Sequence, residues 1–161
     1  MAGCVITNEC ALAVSADRVW KVACSGEALK KACAGFIDAV DTEGDGGPGS
    51  VTTLTLSAAA AADAGGRLRR TRVLARDHAA RVLRNEVLEG SKVSDQLKSQ
   101  VTEVKLEVAG EGACVAKFRL EYERLDGGAL APEDQAALEG GYLGMLKAVE
   151  TYLVANPAEY A

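Results

Sequence analysis

The sequence has a single histidine, no cysteine pair spaced as CxxC, and no apolar segment of membrane-spanning length. Five irregularly spaced cysteines with one histidine match neither a zinc site nor a disulfide framework. We therefore expect small buried or half-buried thiols in a reducing compartment, with no metal and no cofactor. The alanine-rich residues 57–62 are far too short to cross a bilayer, so no membrane segment is expected.

Basic residues are too few for a general nucleic-acid binder. Asp and Glu outnumber Lys and Arg by 23 to 18, giving a net charge of −5, so RNA is not an expected partner. The exception is a group of seven arginines between residues 67 and 84, which predicts a local patch that attracts anions. The first ten residues show no basic region followed by a long apolar run, so we expect no secretory signal and a cytoplasmic location.

Hydrophobic periodicity predicts an α+β fold. Residues 4–14 alternate with period two, as in a strand, and Ser15 is a typical N-cap for the first of two short helices. The second short helix is predicted over residues 27–34, six further strands follow, and an amphipathic helix ends the chain. These strands are predicted at residues 36–43, 50–57, 67–75, 79–89, 101–108 with an earlier start, and 114–123, and the helix at residues 132–155. Short turns between consecutive strands indicate an antiparallel sheet, and we expect a monomer with one domain, residues 1–161.

Three segments carry a resemblance to a known family. They are EGDGGPG at residues 43–49, VLEG at residues 87–90 and LKAVETYLVANPAEY at residues 146–160. With this spacing, and with Asp77 and His78 in a turn between two strands, the whole chain resembles the pathogenesis-related class 10 proteins of plants. The type member of that family is the major birch pollen allergen.

The resemblance implies a particular fold and function. The fold is the helix-grip (START-like) fold, a seven-stranded curved antiparallel sheet around a long C-terminal helix, with two short helices. The function is that of a binding or carrier protein for small apolar or amphipathic plant metabolites, such as flavonoids, cytokinins or other hormone-like ligands, associated with plant defence.

Strand alternation and the family pattern together predict the residues that line the cavity. Mostly apolar walls with a few polar groups are typical of a small-molecule pocket. Many of these residues are small, and a curved sheet that holds one helix leaves its concave side hard to fill, so an open cavity is favoured over a packed core. The predicted ligand-binding residues are Leu54, Leu56, Arg69, Leu83, Asn85, Val87, Gln100, Thr102, Val104, Ala116, Phe118, Leu138, Tyr142 and Met145.

Two residues of this set carry specific expectations. Arg69 is expected to face the cavity and to favour ligands with a carboxylate, phenolate or phosphate. Ala116 lies in the most regular alternating strand, so a larger side chain there is expected to occupy space that the ligand would use.

The glycine-rich loop is predicted to be a rigid turn. Gly44, Gly46, Gly47 and Gly49 include the pattern GxGxxG, but a strand follows the loop, so the helix N-terminus of a dinucleotide site is missing. The expected role of the glycines is to supply positive φ angles. His78 is expected to add only polarity to its turn, because no nucleophile is placed to use it.

Weak ribonuclease activity is the alternative function. The family resemblance assigns it to a helix glutamate and tyrosine, here Glu150 and Tyr152. The other two positions of that proposal, a carboxylate and a lysine in the family, are Lys98 and Thr52 in this chain. Acid–base cleavage needs two groups in opposite protonation states, so the set is incomplete, and Glu150 and Tyr152 are expected to anchor the helix to the sheet or the glycine loop.

The alkaloid-forming relatives use tyrosine, glutamate, lysine and aspartate side chains that face the cavity. The corresponding positions here are Arg69, Thr71, Leu83 and Thr102. Because none of these side chains replaces the lysine and carboxylates in proton transfer, that chemistry is not expected.

Overall fold

The computed structural model describes residues 4–45, 47–59, 68–89 and 96–160. Gly46, Arg67 and Gly90, to which the sequence analysis refers, lie outside these residues. The strands are β1 (Cys4–Leu12), β2 (Ile37–Glu43), β3 (Val51–Leu56), β4 (Leu68–Asp77), β5 (Val82–Glu89), β6 (Leu97–Val108) and β7 (Cys114–Arg124). The short helices are α1 (Ala16–Ala23) and α2 (Gly26–Ala32), and the long one is α3 (Pro132–Ala155).

The strands form one curved sheet in the order β1-β7-β6-β5-β4-β3-β2, and every neighbouring pair is antiparallel. The first strand pairs with the last, from Cys4 opposite Tyr122 to Leu12 opposite Cys114. The predicted seven-stranded antiparallel sheet, two short helices and long C-terminal helix are confirmed.

Serine caps start the two short helices. The Oγ of Ser15 accepts a hydrogen bond from the Arg18 amide at 3.3 Å, and the Oγ of Ser25 accepts one from the Ala28 amide at 3.2 Å. The second helix spans Gly26–Ala32 rather than residues 27–34. It ends earlier than predicted because Cys33 forms its C-cap, with its amide bonded to the Leu29 carbonyl.

The turn between β4 and β5 lies later in the chain than predicted. Strand β4 continues through Asp77, and the turn spans residues 78–81. The Asp77 carboxylate accepts hydrogen bonds from the amides of Ala79 and Ala80, each at 3.0 Å, so it closes the turn from the strand end. Arg81 ends the turn with a φ of 54°, which is unusual for a residue with a side chain.

Two hydrophobic clusters form the core. The larger one packs α1 and α2 against the sheet and the C-terminal part of α3, where Val149 and Leu153 are buried. The smaller one joins β1 and β7 to the start of α3 through Ile6, Leu120 and Leu138. On α3, Met145 packs against the larger cluster and Tyr142 against the smaller one, so the two clusters meet at the middle of this helix.

The five cysteines are free thiols, two of them buried and three half-buried, as predicted. Burial raises the pKa of the Cys33 thiol to about 11, which keeps it protonated and unreactive at neutral pH. Within the described part of the chain, no group of three or more His, Cys, Asp or Glu residues is arranged to hold a metal ion. No helix in that part is long and apolar enough to cross a membrane.

Candidate ligand-binding cavity

A cavity of about 180 Å³ lies between the inner face of the sheet, the short helices and the middle of α3. Its walls are mainly aliphatic and aromatic, with a few hydroxyl, amide and guanidinium groups. The lining residues are Val19, Trp20, Ala23, Leu29, Thr52, Leu54, Arg69, Thr71, Val73, Arg76, Leu83, Asn85, Thr102, Val104, Leu106, Phe118, Tyr142, Met145, Leu146 and Val149. This composition is that of a small-molecule site.

Strand β4 supplies the polar wall of the cavity. Arg69, Thr71 and Val73 alternate along the strand and all face the cavity. A register shift between Val73 and Ala75 interrupts the alternation, so the next inward side chain is Arg76 instead of Ala75. The bulge therefore places a second guanidinium group in the lining.

Most of the predicted lining residues are brought together at the cavity. Those found in the lining are Leu54, Arg69, Leu83, Asn85, Thr102, Val104, Phe118, Tyr142 and Met145. They come from β3, β4, β5, β6, β7 and α3, which meet there because the register places Leu83 opposite Val104 and Asn85 opposite Thr102. Whether they bind a ligand remains a prediction.

Five predicted residues lie outside the lining. Leu56 and Ala116 belong to the larger core cluster, and Leu138 belongs to the smaller one. Gln100, which is 3% exposed, is opposite Tyr122 of the smaller cluster, and Val87 is half-buried beyond Asn85 on β5. Alternation predicts which face a side chain takes, but helix packing decides which inward positions are covered.

Of these five residues, Ala116 carried a specific prediction, namely that a larger side chain there would occupy ligand space. Its side chain is 0% exposed and packs in the same cluster as Val149 and Leu153 of α3. Its neighbours across the sheet are Cys10 and Leu106. Ala116 is therefore a core residue, and a larger side chain there does not have the cavity to occupy.

None of the lining that α1 contributes was predicted. Val19, Trp20 and Ala23 face the cavity from this helix, and their helical spacing was the available signal. Thr52 and Leu106 could have been found by extending the alternation of Leu54 and Val104 by two residues along each strand. The other lining residues outside the predicted set are Leu29, Val73, Arg76, Leu146 and Val149, together with Thr71, which the resemblance to the alkaloid-forming relatives had placed at a cavity-facing position.

His78 does more than add polarity to its turn, contrary to our prediction. Its Nδ1 accepts a hydrogen bond of 3.0 Å from the Nε1–H group of Trp20, and the two rings meet edge to face with centroids 5.7 Å apart. Beside this contact, the Arg81 guanidinium pairs with Asp17 at 2.6 Å. The β4–β5 turn is therefore tied to α1 at the end of the cavity that Trp20 lines.

The glycine-rich loop forms a turn with positive φ angles, as predicted, at two of the glycines that the structure describes. Gly44 and Gly49 have φ angles of 109° and 92°, and a Cβ at Gly44 would lie 2.6 Å from the Ser50 Oγ. The Gly47 amide donates to the Asp45 carboxylate at 2.8 Å, which lowers the pKa of that carboxyl group, and the Gly49 amide donates to the Val73 carbonyl. These two amides therefore already donate hydrogen bonds to groups of the protein itself.

Glu150 anchors α3 to the end of β1. Its carboxylate accepts a hydrogen bond of 2.7 Å from the Ala13 amide and one of 3.2 Å from the Lys147 ammonium. The Ala13 amide is the main cause of a lowered pKa for Glu150. The predicted anchoring role is confirmed for Glu150, with the partner at the end of β1 and not in the glycine loop.

Tyr152 is connected to the C-terminal segment. Its hydroxyl donates to the Glu159 carboxylate, which raises the pKa of the tyrosine, and Glu159 also pairs with Lys31 at 2.8 Å. We expected Tyr152 to anchor the helix to the sheet or the glycine loop, and this was wrong, because its partner is Glu159 of the C-terminal segment. Neither Glu150 nor Tyr152 is in the cavity lining, and Lys98 is 67% exposed on the surface.

The Glu150 contact predicts a pH-dependent contribution to stability. A lowered pKa in the folded state means that Glu150 stabilises the fold above the unfolded value of about 4.3, and that this contribution is lost as the pH falls through the lowered pKa. We expect Glu150→Gln to reduce the free energy of unfolding by about 1 kcal/mol at pH 7. The difference should shrink in denaturation experiments at about pH 3, and an equal difference at both pH values would contradict this role.

The curved sheet wrapped around a long helix, with an apolar cavity between them, defines a ligand-binding fold of the helix-grip class. The family described as "Pathogenesis-related protein Bet v 1 family" matches residues 2–156, and the chain belongs to this family.

Known relatives agree with this assignment. Pathogenesis-related protein 10 of Glycine max is 30% identical over 120 residues, 73% of each chain. Pathogenesis-related protein STH-21 of Solanum tuberosum is 35% identical over 80 residues, which is 50% of this chain and only about half, 52%, of that relative. The crystal structure of Ara h 8.0201 has the same fold, with a TM-score of 0.77 and 21% identity over 95% of this chain and 99% of that one.

Proposed function

We propose that this protein binds a small apolar or amphipathic plant metabolite in its cavity and carries or stores it without chemical change. The observation that supports this most is the lining itself, which combines apolar walls with only a few polar groups. Since the named relatives are pathogenesis-related proteins, we extend the proposal to a role in plant defence, exercised by a cytoplasmic monomer.

The charged groups of the lining favour binding over catalysis. Arg69, Thr71, Leu83 and Thr102, which correspond to the reactive positions of the alkaloid-forming relatives, all face the cavity. Among the residues that the structure describes, the lining contains no carboxylate, lysine or histidine, and an arginine does not give up its proton in proteins. The described walls therefore offer no acid–base pair.

The geometry supports ribonuclease activity less than it supports ligand binding. The Glu150 carboxylate already accepts two hydrogen bonds, and the Tyr152 hydroxyl is bonded to Glu159. A depressed glutamate pKa makes Glu150 a poor proton donor at neutral pH.

The cavity size favours small ligands. At about 180 Å³ it is smaller than the roughly 300–1,000 Å³ of pockets for drug-sized molecules. Two-ring ligands such as cytokinins fit this size better than three-ring flavonoids, which need side chains such as the flexible Met145 to repack.

Titration with 6-propionyl-2-(dimethylamino)naphthalene, a neutral two-ring dye whose fluorescence reports apolar surroundings, tests the proposal. Burying about 300 Å² of apolar dye surface at about 25 cal/mol per Å² gives roughly 7 kcal/mol before ordering costs. We therefore expect saturable binding with a dissociation constant on the order of micromolar or tens of micromolar. Cytokinins should displace the dye, and a lack of saturable binding across a varied panel of plant metabolites would contradict the carrier function.

A further inference from the structure

Among the described residues, the charges that face the cavity are all of one sign. Arg69 and Arg76 are the charged residues of the lining in that part of the chain, and no aspartate or glutamate there lines the cavity. The chain as a whole is acidic, with a net charge of −5. The described part of the cavity lining therefore carries positive charge, opposite in sign to the net charge of the chain.

Neither arginine has an ion-pair partner within the described ranges, although other arginines of the same hairpin do. Arg72 pairs with Glu86 at 2.9 Å, and Arg84 pairs with Glu121 at 2.9 Å, both outside the cavity lining. A charge that loses contact with water is costly unless it is paired. The cavity thus offers positive charge that a ligand can neutralise.

Arg69 is held in place mainly by contacts that leave its donors available. Its guanidinium carbon lies 5.1 Å from the centre of the Tyr142 ring, a cation–π contact, and its Nη1 is 4.0 Å from the Met145 sulfur. A guanidinium group has five N–H donors, and a thioether is only a weak acceptor. The planar group therefore keeps donors for the two oxygens of a carboxylate.

A pair of hydroxyl groups lies beside this guanidinium. The Oγ1 of Thr102 and the hydroxyl of Tyr142 are 2.8 Å apart and share one hydrogen bond. Two hydroxyl groups carry two protons, so one O–H group remains to donate to a ligand oxygen. We call Arg69, Thr102 and Tyr142 the anion subsite.

The neighbouring Asn85 is compatible with an acidic ligand that has its own donor. Its Oδ1 is buried and has no hydrogen-bond partner in the part of the chain that the structure describes. A hydroxyl or amine on the ligand satisfies this oxygen, and a rotated amide presents its NH₂ group instead.

We infer that the ligand of this cavity is a small amphipathic carboxylic acid in its ionised form, with its carboxylate in the anion subsite. Its apolar body then lies against residues such as Leu83, Val104 and Phe118, which line the cavity. This inference rests on the proposed binding function and adds the chemical class of the ligand.

Two compounds that differ in charge but share a two-ring skeleton test this inference. They are 1-naphthaleneacetic acid, which is ionised at pH 7, and 1-naphthaleneacetamide, which is neutral. Calorimetric titration of the wild-type protein should show at least tenfold tighter binding of the acid, which corresponds to about 1.4 kcal/mol. Arg69→Met should abolish this preference, because it weakens binding of the acid more than binding of the amide.

The adjacent Arg70 provides a matched control. It lies between two cavity-facing residues of β4 and therefore points to the opposite face, so Arg70→Met removes the same charge without touching the cavity. This variant should keep the preference for the acid, as should Arg76→Met, because Arg76 is not part of the anion subsite. Melting temperatures check that each variant is folded, and Arg69→Gln serves as a second variant.

The outcomes separate this inference from the proposed function. Equal affinities of the wild-type protein for acid and amide, or a preference that survives in both Arg69 variants, would overturn the anion subsite and leave the carrier function in place. A preference lost with Arg76→Met and kept with Arg69→Met would also overturn it. If neither compound nor the neutral dye binds, the carrier function itself fails.

Discussion

Replacing Leu83 with tryptophan is expected to weaken binding of the neutral dye at least tenfold without lowering the melting temperature. Leu83 is half-buried on β5, faces the cavity, and lies opposite Val104 and Arg76 of the neighbouring strands. The larger indole takes space that a ligand needs, whereas filling an empty cavity commonly stabilises a protein. Dye titration and thermal denaturation of the one variant measure both effects.

Leu74→Trp is the matched control for this prediction. Leu74 lies on the neighbouring strand β4, is 40% exposed and does not line the cavity. The same substitution there should leave dye affinity within about twofold. A Leu83→Trp variant with unchanged affinity and a clearly lower melting temperature would mean that this part of the interior is packed and does not receive the ligand.

The second large effect is expected at Ala116, where phenylalanine should destabilise the fold. The side chain is fully buried between Cys10 and Leu106 and packs in the cluster of Val149 and Leu153. Overpacking of this kind costs roughly 1–3 kcal/mol, because neighbours are forced off their preferred rotamers. For a chain of this length each kcal/mol lowers the melting temperature by about 2–4 °C.

Val115→Phe is the control for the Ala116 variant. Val115 is the preceding residue of β7, half-buried, and alternation turns its side chain to the outer face. Its substitution should change the melting temperature by much less. If Ala116→Phe instead keeps the wild-type melting temperature and loses dye binding, Ala116 belongs to the cavity wall after all.

Much of the fold could be predicted because its signals are local. In β7 the residues from Cys114 to Tyr122 alternate in the sequence, and the structure shows the same alternation of buried and more exposed positions. Pro132 at the start of α3 predicts the helix boundary correctly. The turn after β4 was misplaced because it depends on hydrogen bonds that the amides of Ala79 and Ala80 donate to the Asp77 carboxylate, a geometry that composition does not specify.

The cavity could be predicted only in part because it depends on contacts between distant segments. Alternation together with the family pattern correctly turned Leu83 and Thr102 inward, and the family resemblance did so for Arg69. It could not show that Ala116 is part of the buried core cluster that includes Val149 and Leu153 of α3, nor that a bulge in β4 turns Arg76 inward. The partner of His78 is Trp20, 58 residues away, so this contact had no local signal.

Intermolecular nuclear Overhauser effects between the bound neutral dye and protein methyl groups show where the ligand lies. For a ligand in the cavity we expect effects from dye protons to the methyl groups of Leu83, Val104 and Val149, which line it. We expect none to Leu74 and Leu88, which are exposed and lie outside the lining. Effects confined to Leu74 and Leu88 would show that the dye binds the outer face of the sheet, and would contradict a ligand site between the sheet and α3.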